Sequence, residues 1–238
     1  MQLAEGLEVL ASRGWLAEVG RETAARLFPL ARWRRFGPGD ILTLGGEERD
    51  DLIGLARGTV AFTSALGLPE TPVMHMAQAV FWMGYGPTLR GRERVIMAEA
   101  RTEVWAASFP GGRIRSMLDA GTLDWRPFMA LMAEYGDISA VIAADLLIRD
   151  SKARCAAVLA RFAGLRSPLP GSDPVTVVPV TQGELAAACN LSRNATAALL
   201  RGWAAEGIVE IGYAAIRIGD PAALVRLAGG GAAAPRPL

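Results

Sequence analysis

The chain has 238 residues, 51% of them hydrophobic and 21% charged, and its 25 basic and 24 acidic side chains leave a formal charge of +1. That apolar share predicts a soluble globular chain of one large or two modest domains, and excludes a disordered chain, a collagen and a coiled-coil rod. Near-neutrality excludes a protein that coats nucleic acid without regard to sequence, while a small local docking surface stays open.

The first twenty residues carry Glu5, Glu8 and Glu18 and lack a basic start followed by an apolar block, so no secretory signal is expected and the chain is assigned to the cytoplasm. Leu16 to Leu30 has apolar residues at helical spacing and is expected to cover one end of the structure that follows. From Arg32 to about Ser108 the apolar runs shorten. Gly37-Pro38-Gly39, Gly45-Gly46, Gly58, Gly67 with Pro69, Gly84 and Gly86-Pro87 punctuate them, which is the pattern of turn-rich β structure. Strands are predicted at Ile41 to Leu44, Leu52 to Leu55, Thr59 to Ser64, Val73 to Met76, Val95 to Ala98 and Glu103 to Ser108. An antiparallel roll or barrel accommodates this spacing. Arg32, Arg34 and Arg35 read as the solvated face of an edge strand.

Beyond Gly111-Gly112 the pattern turns helical. From Arg126 to about Ile148, Phe128, Leu131, Tyr135, Ile138 and Ile142 follow one another in steps of three, four, three and four. Such a stripe can bury itself on the β domain or on a second copy of the chain, and the near-3.5 spacing favours the second copy, hence a homodimer. The apolar run Ile138 to Ile148 is interrupted by Asp145 and falls short of the roughly 18 residues of a bilayer-spanning helix, so no membrane segment is expected. Asp150 and Ser151 are N-cap candidates that break the chain at a hinge and start a helix from Lys152 to Leu165. Cys155 and Cys189 have no neighbouring Cys or His to complete a metal set and are expected as buried free thiols.

Arg166 to Pro179 is a breaker-rich connection containing a β-prone patch, Val175 to Val178. Thr181 with Glu184 forms a capping box for a short helix ending near Asn190. Ser192 caps a second helix running to Ala205, with Ala195, Leu199 and Trp203 predicted on its buried face and Gly207 closing it. Ile208 to Ile211 and Ile216 to Ile218 complete a hairpin. Two helices joined by a tight turn and followed by a hairpin make a winged helix-turn-helix. A B-DNA major groove admits one helix, whose N-terminal residues reach base edges. Ser192, Arg193, Asn194 and Thr196 are therefore the candidate readers, with Arg suited to guanine and Asn to adenine, and Arg201 a further candidate. Thr181 and Gln182 would lie over the phosphate backbone. Against strong nonspecific affinity, Arg166 to Ala228 holds five arginines and five acids.

Thr181-Gln182-Gly183-Glu184-Leu185-Ala186, Leu191-Ser192-Arg193 and Glu206-Gly207-Ile208-Val209 resemble the Crp/Fnr family of bacterial transcription regulators. So do Arg34 to Leu42, Ala56-Arg57-Gly58-Thr59-Val60 and the stretch from Asp150 to Leu165. The resemblance, over roughly residues 20 to 228, implies an α+β chain: an N-terminal antiparallel β-roll similar to a cyclic-nucleotide-binding domain (1–124), a long dimerisation helix (125–149) and a C-terminal winged helix-turn-helix (150–228); the residues beyond it, 229–238, read as a disordered tail. It implies a homodimer that binds double-stranded DNA and acts with RNA polymerase, taking a small-molecule signal through the roll. Three departures are visible. Ala198 stands where family members with two arginines in the recognition helix keep the second, and Tyr85 stands at the ribose-binding carboxylate of the cyclic-AMP binders. A phenol does not replace that acceptor pair. Arg94 matches the phosphate-binding arginine, but Val95 and Ile96 follow it where a small residue is usual. Gly84, Tyr85, Arg92 and Arg94 are the candidate effector-binding residues, and cyclic AMP is not the expected effector. Iron–sulfur sensing would need a cysteine cluster that two distant thiols do not supply.

His75 is the only histidine and reads as a strand residue satisfied by a neighbour. Asp119, Asp124, Glu134 and Asp137 scatter along a helical region, no nucleophilic triad can be assembled without His75, and no phosphate-cradling Gly-rich loop with lysine is present, so the chain is not expected to be an enzyme. Phe81, Trp82 and Tyr85 could stack on a planar ligand or fill the roll's core, and Trp82, Met83 and Tyr85 could plug the pocket. A second function class stays open: an adaptor whose winged helix docks on a ligand or protein and no longer reads DNA.

Overall fold

The computed structural model describes residues 1–44, 46, 49–64, 72–167 and 173–229. Three helices open the chain, α1 (Leu3–Ser12), α2 (Trp15–Val19) and α3 (Arg21–Leu27), followed by a 3-10 turn at Phe28–Leu30. In place of the single helix expected from Leu16 to Leu30 there are two; Gly20, at φ 93°, divides them, because that conformation cannot continue a right-handed helix. Helix α1 is additional to the expected elements, although Leu3, Leu7 and Leu10 recur at helical spacing.

Eight strands follow: β1 (Arg32–Phe36), β2 (Ile41–Thr43), β3 (Leu52–Arg57), β4 (Thr59–Ser64), β5 (Val73–Gln78), β6 (Phe81–Met83), β7 (Ile96–Ala100) and β8 (Val104–Phe109), with helix α4 (Tyr85–Arg90) between β6 and β7. They form two four-stranded antiparallel sheets, ordered β1-β8-β3-β6 and β2-β7-β4-β5. The predicted strands are all present, most of them shifted or lengthened by a residue or two. Strand β1 lies at a sheet edge with Arg32, Arg34 and Arg35 exposed, as expected. The turn between β3 and β4 requires Gly58: its φ is 99°, and a Cβ there would run into the Glu103 carbonyl oxygen.

Helix α5 (Gly111–Asp119) leads to the long helix α6 (Arg126–Leu147). Here the structure corrects the seam. Phe128 and Leu131 are fully buried against Trp15, Leu16 and Trp82, and Ile138, with Tyr135 and Ile142, packs on the Phe62 and Phe81 side of the roll. The stripe is therefore spent within the chain itself. A 3.5-residue repeat states that a helix has an apolar side and does not state whose surface covers it. On the opposite side Met129, Ala133, Gly136, Ala140, Ala143 and Leu147 are exposed, again in alternating steps of four and three.

Asp150 caps helix α7 (Ser151–Phe162), its carboxylate accepting the Ala153 N–H at 2.7 Å. From Cys155 to Phe162 every residue of α7 is buried, which fits a helix that is apolar on almost every side and lies at the centre of the second core. That core gathers Leu185, Leu200, Trp203, Ile216 and Leu224, and also Val73 and Met76 of the roll. Strand β9 (Val177–Val178), helices α8 (Gln182–Ala188) and α9 (Arg193–Ala205), strands β10 (Val209–Ile211) and β11 (Ile216–Ile218) and helix α10 (Pro221–Leu227) complete the winged helix-turn-helix. The Val175 to Val178 patch becomes the third strand of the wing, in the order β10-β11-β9. Among the described residues no helix is long and apolar enough to cross a membrane. The turns expected at Gly45, Gly67 with Pro69, and Pro168 to Gly171, and the tail beyond Gly229, lie outside the described residues.

Candidate nucleic-acid interface and effector cavity

Helix α8 starts with the predicted capping box. The Glu184 amide donates to Thr181 Oγ1 at 3.1 Å, and the Glu184 carboxylate accepts the Thr181 amide at 2.8 Å and the Thr181 hydroxyl at 2.9 Å. The Thr181 hydroxyl is thus engaged within the helix start, and Gln182 beside it is half-buried. Asn190, at φ 51°, makes the tight turn, a conformation Asn tolerates better than most residues. Ser192 then caps α9, its hydroxyl accepting the Ala195 N–H at 3.2 Å.

The buried face of α9 is Thr196, Leu200 and Trp203, at 0%, 0% and 1% exposure. Of the expected face, Trp203 is buried and Leu199 half-buried against the same core, but Ala195 is exposed and Thr196 takes its place, because alanine's single methyl marks a buried side weakly and threonine's methyl can replace it. The correction removes Thr196 from the readers: its hydroxyl faces the core and has no hydrogen-bond partner there. Ser192, Arg193, Asn194, Ala198 and Arg201 are exposed. Arg193 lies over the start of α8, where a Cβ on Gly183 would stand 3.5 Å from its Nε. Among the described residues neither Arg193 nor Arg201 is held in an ion pair. At the wing, Tyr213 is fully exposed between β10 and β11.

A cavity of about 360 Å³ lies between the roll and α6. Phe62, Met74, His75, Phe81 and Met83 wall it from the strands, Tyr135, Ile138, Ser139 and Ile142 from α6, and Gly84, Tyr85, Arg90, Glu93 and Arg94 from the connection through α4. Three of the four predicted effector residues, Gly84, Tyr85 and Arg94, meet there; Arg92 does not, being exposed outside the lining. Nor is the pocket plugged. On β6 the side chains alternate, so Phe81 and Met83 face the cavity while Trp82 turns to the other core, 4.9 Å from the ring of Trp15. Sequence reasoning misses the contribution of α6 because it assigns Tyr135, Ile138 and Ile142 to a dimer seam.

The polar groups of this wall are largely turned to the protein itself. Arg94 donates from Nε to the Arg49 carbonyl at 2.8 Å and from Nη2 to the Asp51 carbonyl at 2.6 Å. The Tyr135 hydroxyl donates to the Trp82 carbonyl, and its burial raises its pKa well above the usual range. The Ser139 hydroxyl donates to the Tyr135 carbonyl at 2.8 Å. His75 is buried, and desolvation, with the charge of Arg161 adding to it, lowers its pKa to about 3.

Behind His75 the roll is joined to the second core. Arg161 of α7 donates to Asp145 of α6 at 2.7 Å and to the Met74 carbonyl at 2.8 Å, with His75 Nδ1 at 3.5 Å. Gln78 donates to the Phe162 carbonyl at 2.7 Å, and Arg101, at the turn before β8, donates to Glu184 of α8 at 2.7 Å. Cys155 and Cys189 are free and buried, as expected, and the fold brings them together: a hydrogen bond with Cys155, then burial, pushes the Cys189 thiol pKa up.

Residues 153–227 match the model of the Crp-like helix-turn-helix domain. A comparison with curated proteins finds no match. Among solved structures the chain is similar to TTHA1359 of Thermus thermophilus, a CRP/FNR-family transcriptional regulator, at 23% identity and TM-score 0.62, covering 84% of this chain and 99% of that one. It is similar to TTHB099 of the same organism, a CRP-family regulator, at 21% identity and TM-score 0.61, over 83% and 97% of the two chains. The c-di-GMP-responsive global regulator CLP of Xanthomonas campestris aligns at 16% identity and TM-score 0.62, over 81% and 95%.

Proposed function

We propose, for a chain whose residues 153–227 are a Crp-like helix-turn-helix domain carried on the fold of the CRP-family regulators, that it is a sequence-specific DNA-binding transcription regulator. The observation that carries the reading is α9: a capped helix, second of a helix-turn-helix pair, with Arg193, Asn194 and Arg201 exposed while Thr196, Leu200 and Trp203 anchor it. Arg193 and Asn194 stand at its N-terminal turn, the part of a recognition helix that reaches base edges. Ser192 and Thr181 serve as caps, with backbone N–H groups at both helix starts available to phosphates.

The regulator acts as a homodimer through the exposed side of α6, where Met129, Ala133, Gly136, Ala140, Ala143 and Leu147 offer a narrow seam to a second copy, and it works at promoters with RNA polymerase in the cytoplasm. Its signal enters the cavity between the roll and α6. That signal is not cyclic AMP: Tyr85 supplies no carboxylate, and the Arg94 guanidinium is turned to the Arg49 and Asp51 carbonyls.

Footprinting on fragments of the source genome tests the reading. A protected palindrome is expected, with Arg193→Ala and Asn194→Ala each costing about 1–3 kcal/mol at one base position. The balance of five arginines and five acids from Arg166 to Ala228 favours a second reading, an adaptor that docks on protein. Affinity that falls steeply with salt supports DNA reading, and a flat dependence supports the adaptor.

A further inference from the structure

The cavity between the roll and α6 states more about its occupant than that cyclic AMP is a poor one. We propose that it takes an uncharged, mainly apolar ring or acyl compound carrying a neutral oxygen acceptor. This assignment rests on the reading of the cavity as the effector site.

Charge is the first argument. A cyclic nucleotide or another phosphate brings a negative charge that must be desolvated on entry, which is favourable only where cationic groups with free donors wait inside. Arg94 gives its Nε and Nη2 donors to the carbonyls of Arg49 and Asp51. His75 holds no charge at neutral pH. Arg90 and Glu93, both at the wall near α4, offset each other. The wall carries two guanidinium groups against one carboxylate, but the Arg94 Nε and Nη2 donors that would meet a phosphate are already engaged by protein carbonyls.

The wall is the second argument. Phe62, Met74, Phe81, Met83, Ile138 and Ile142 present aromatic, thioether and branched surfaces, which gain contact with ring or hydrocarbon bodies. The volume, about 360 Å³, lies within the range of about 300–1,000 Å³ that takes a drug-sized molecule.

The remaining polar capacity is the third. Arg161 can only donate, so His75 Nδ1 is the acceptor of that contact and the ring proton sits on Nε2. Among the described residues that Nε2 donor has no partner, and neither has the Tyr85 hydroxyl. Both belong to residues of the cavity wall. They suit a carbonyl, ether or hydroxyl oxygen, and a ligand with such a group would bond beside Arg161, the side chain that joins the roll to α6 and α7.

The neutral aromatic ketone Prodan, whose emission reports polarity and hydrogen bonding, tests this on the full chain. Saturable binding of one Prodan per chain is expected, with blue-shifted emission and no displacement by millimolar cyclic AMP. Narrowing the wall with Val95→Trp or Ile142→Trp, two positions that are not fully buried, should each weaken Prodan by about tenfold or more at unchanged far-ultraviolet circular dichroism. His75→Phe should weaken Prodan more than it weakens the hydrocarbon analogue lacking the ketone. Stoichiometric cyclic AMP binding that displaces Prodan overturns the proposal. So does Prodan affinity that is the same in both tryptophan variants, or non-saturable binding. Saturable Prodan binding by a chain that protects no DNA under any condition supports the ligand class and overturns the regulator reading.

Discussion

Arg161 and Asp145 form a buried ion pair at 2.7 Å, with side chains 2% and 0% exposed, and it ties the last full turns of the long helix to the helix that follows the hinge. Arg166 approaches the same carboxylate at 3.3 Å, and Arg161 also reaches the Met74 carbonyl of the roll. Arg161 thus links two consecutive helices, through Asp145, to a strand distant in sequence, through the Met74 carbonyl. Burial lowers the Arg161 pKa and Asp145 opposes that shift, so the pair persists because each partner offsets the other's desolvation.

Removing one partner leaves the other charge buried. Asp145→Ala should cost about 3–5 kcal/mol in urea denaturation, whereas Asp145→Leu combined with Arg161→Met should recover most of it, because well-packed apolar groups replace a buried pair at little cost. If the fold depends on apolar packing alone at this junction, Asp145→Ala will denature close to wild type.

Thr196 gives the sharpest contrast between sequence and structure on helix α9. Thr196→Val keeps the buried shape and deletes a hydroxyl that has no hydrogen-bond partner, so a gain of about 1 kcal/mol in stability is expected. DNA affinity should stay unchanged in gel-shift titrations. A loss of affinity comparable with that of Arg193→Ala would return Thr196 to the readers.

What the sequence reveals of this fold follows from which signals are local. The caps at Asp150, Thr181 and Ser192 are legible because each needs one side chain and one amide three residues on. The strands Thr59–Ser64 and Ile216–Ile218 are legible end to end because glycines bound both hairpins. Faces are harder. The Phe128 to Ile142 stripe is visible as a period, but its partner surface, built from Trp15, Trp82, Phe81 and Phe62, is assembled from distant segments. The same limit hides the cavity: Gly84, Tyr85 and Arg94 lie close in sequence, whereas His75, Tyr135 and Ile142 reach it only through the fold. On α9 the phase slips because Ala195 and Thr196 are nearly indistinguishable as apolar signals.

The exposed side of α6 carries the third prediction. Its small residues would let two copies approach closely, and a charge at the centre of such a seam would be desolvated without a partner. Ala140→Glu should shift sedimentation from dimer to monomer at micromolar concentration. Gly136→Ala, which adds a single methyl at a helix-interior site with nothing within 4 Å, should raise the stability of the single chain by up to about 1 kcal/mol through helix propensity while it perturbs self-association. A monomeric wild type would overturn the homodimer, and a dimer indifferent to Ala140→Glu would move the interface elsewhere.

Two groups give the stability curve opposite slopes with pH. Glu134 of α6 is half-buried, and desolvation, then the nearby carboxylates of Glu18 and Asp137, raises its pKa from 4.5 to about 7. The folded chain therefore holds this proton more tightly than the unfolded chain, so the stabilisation is full below pH 4.5 and is lost as pH rises through about 7. His75 works the other way. Its pKa falls from 6.5 to about 3, so the unfolded chain takes up the proton first and stability declines as pH drops below 6.5. Thermal melts at fixed protein concentration separate the two. Glu134→Gln should flatten the loss between pH 5 and 8 and leave the acid limb alone, while His75→Gln should flatten the acid limb and leave the neutral one. A Glu134→Gln variant that still loses the wild-type increment between pH 5 and 8 would show that the carboxylate is solvated and that its neighbours do not hold its proton.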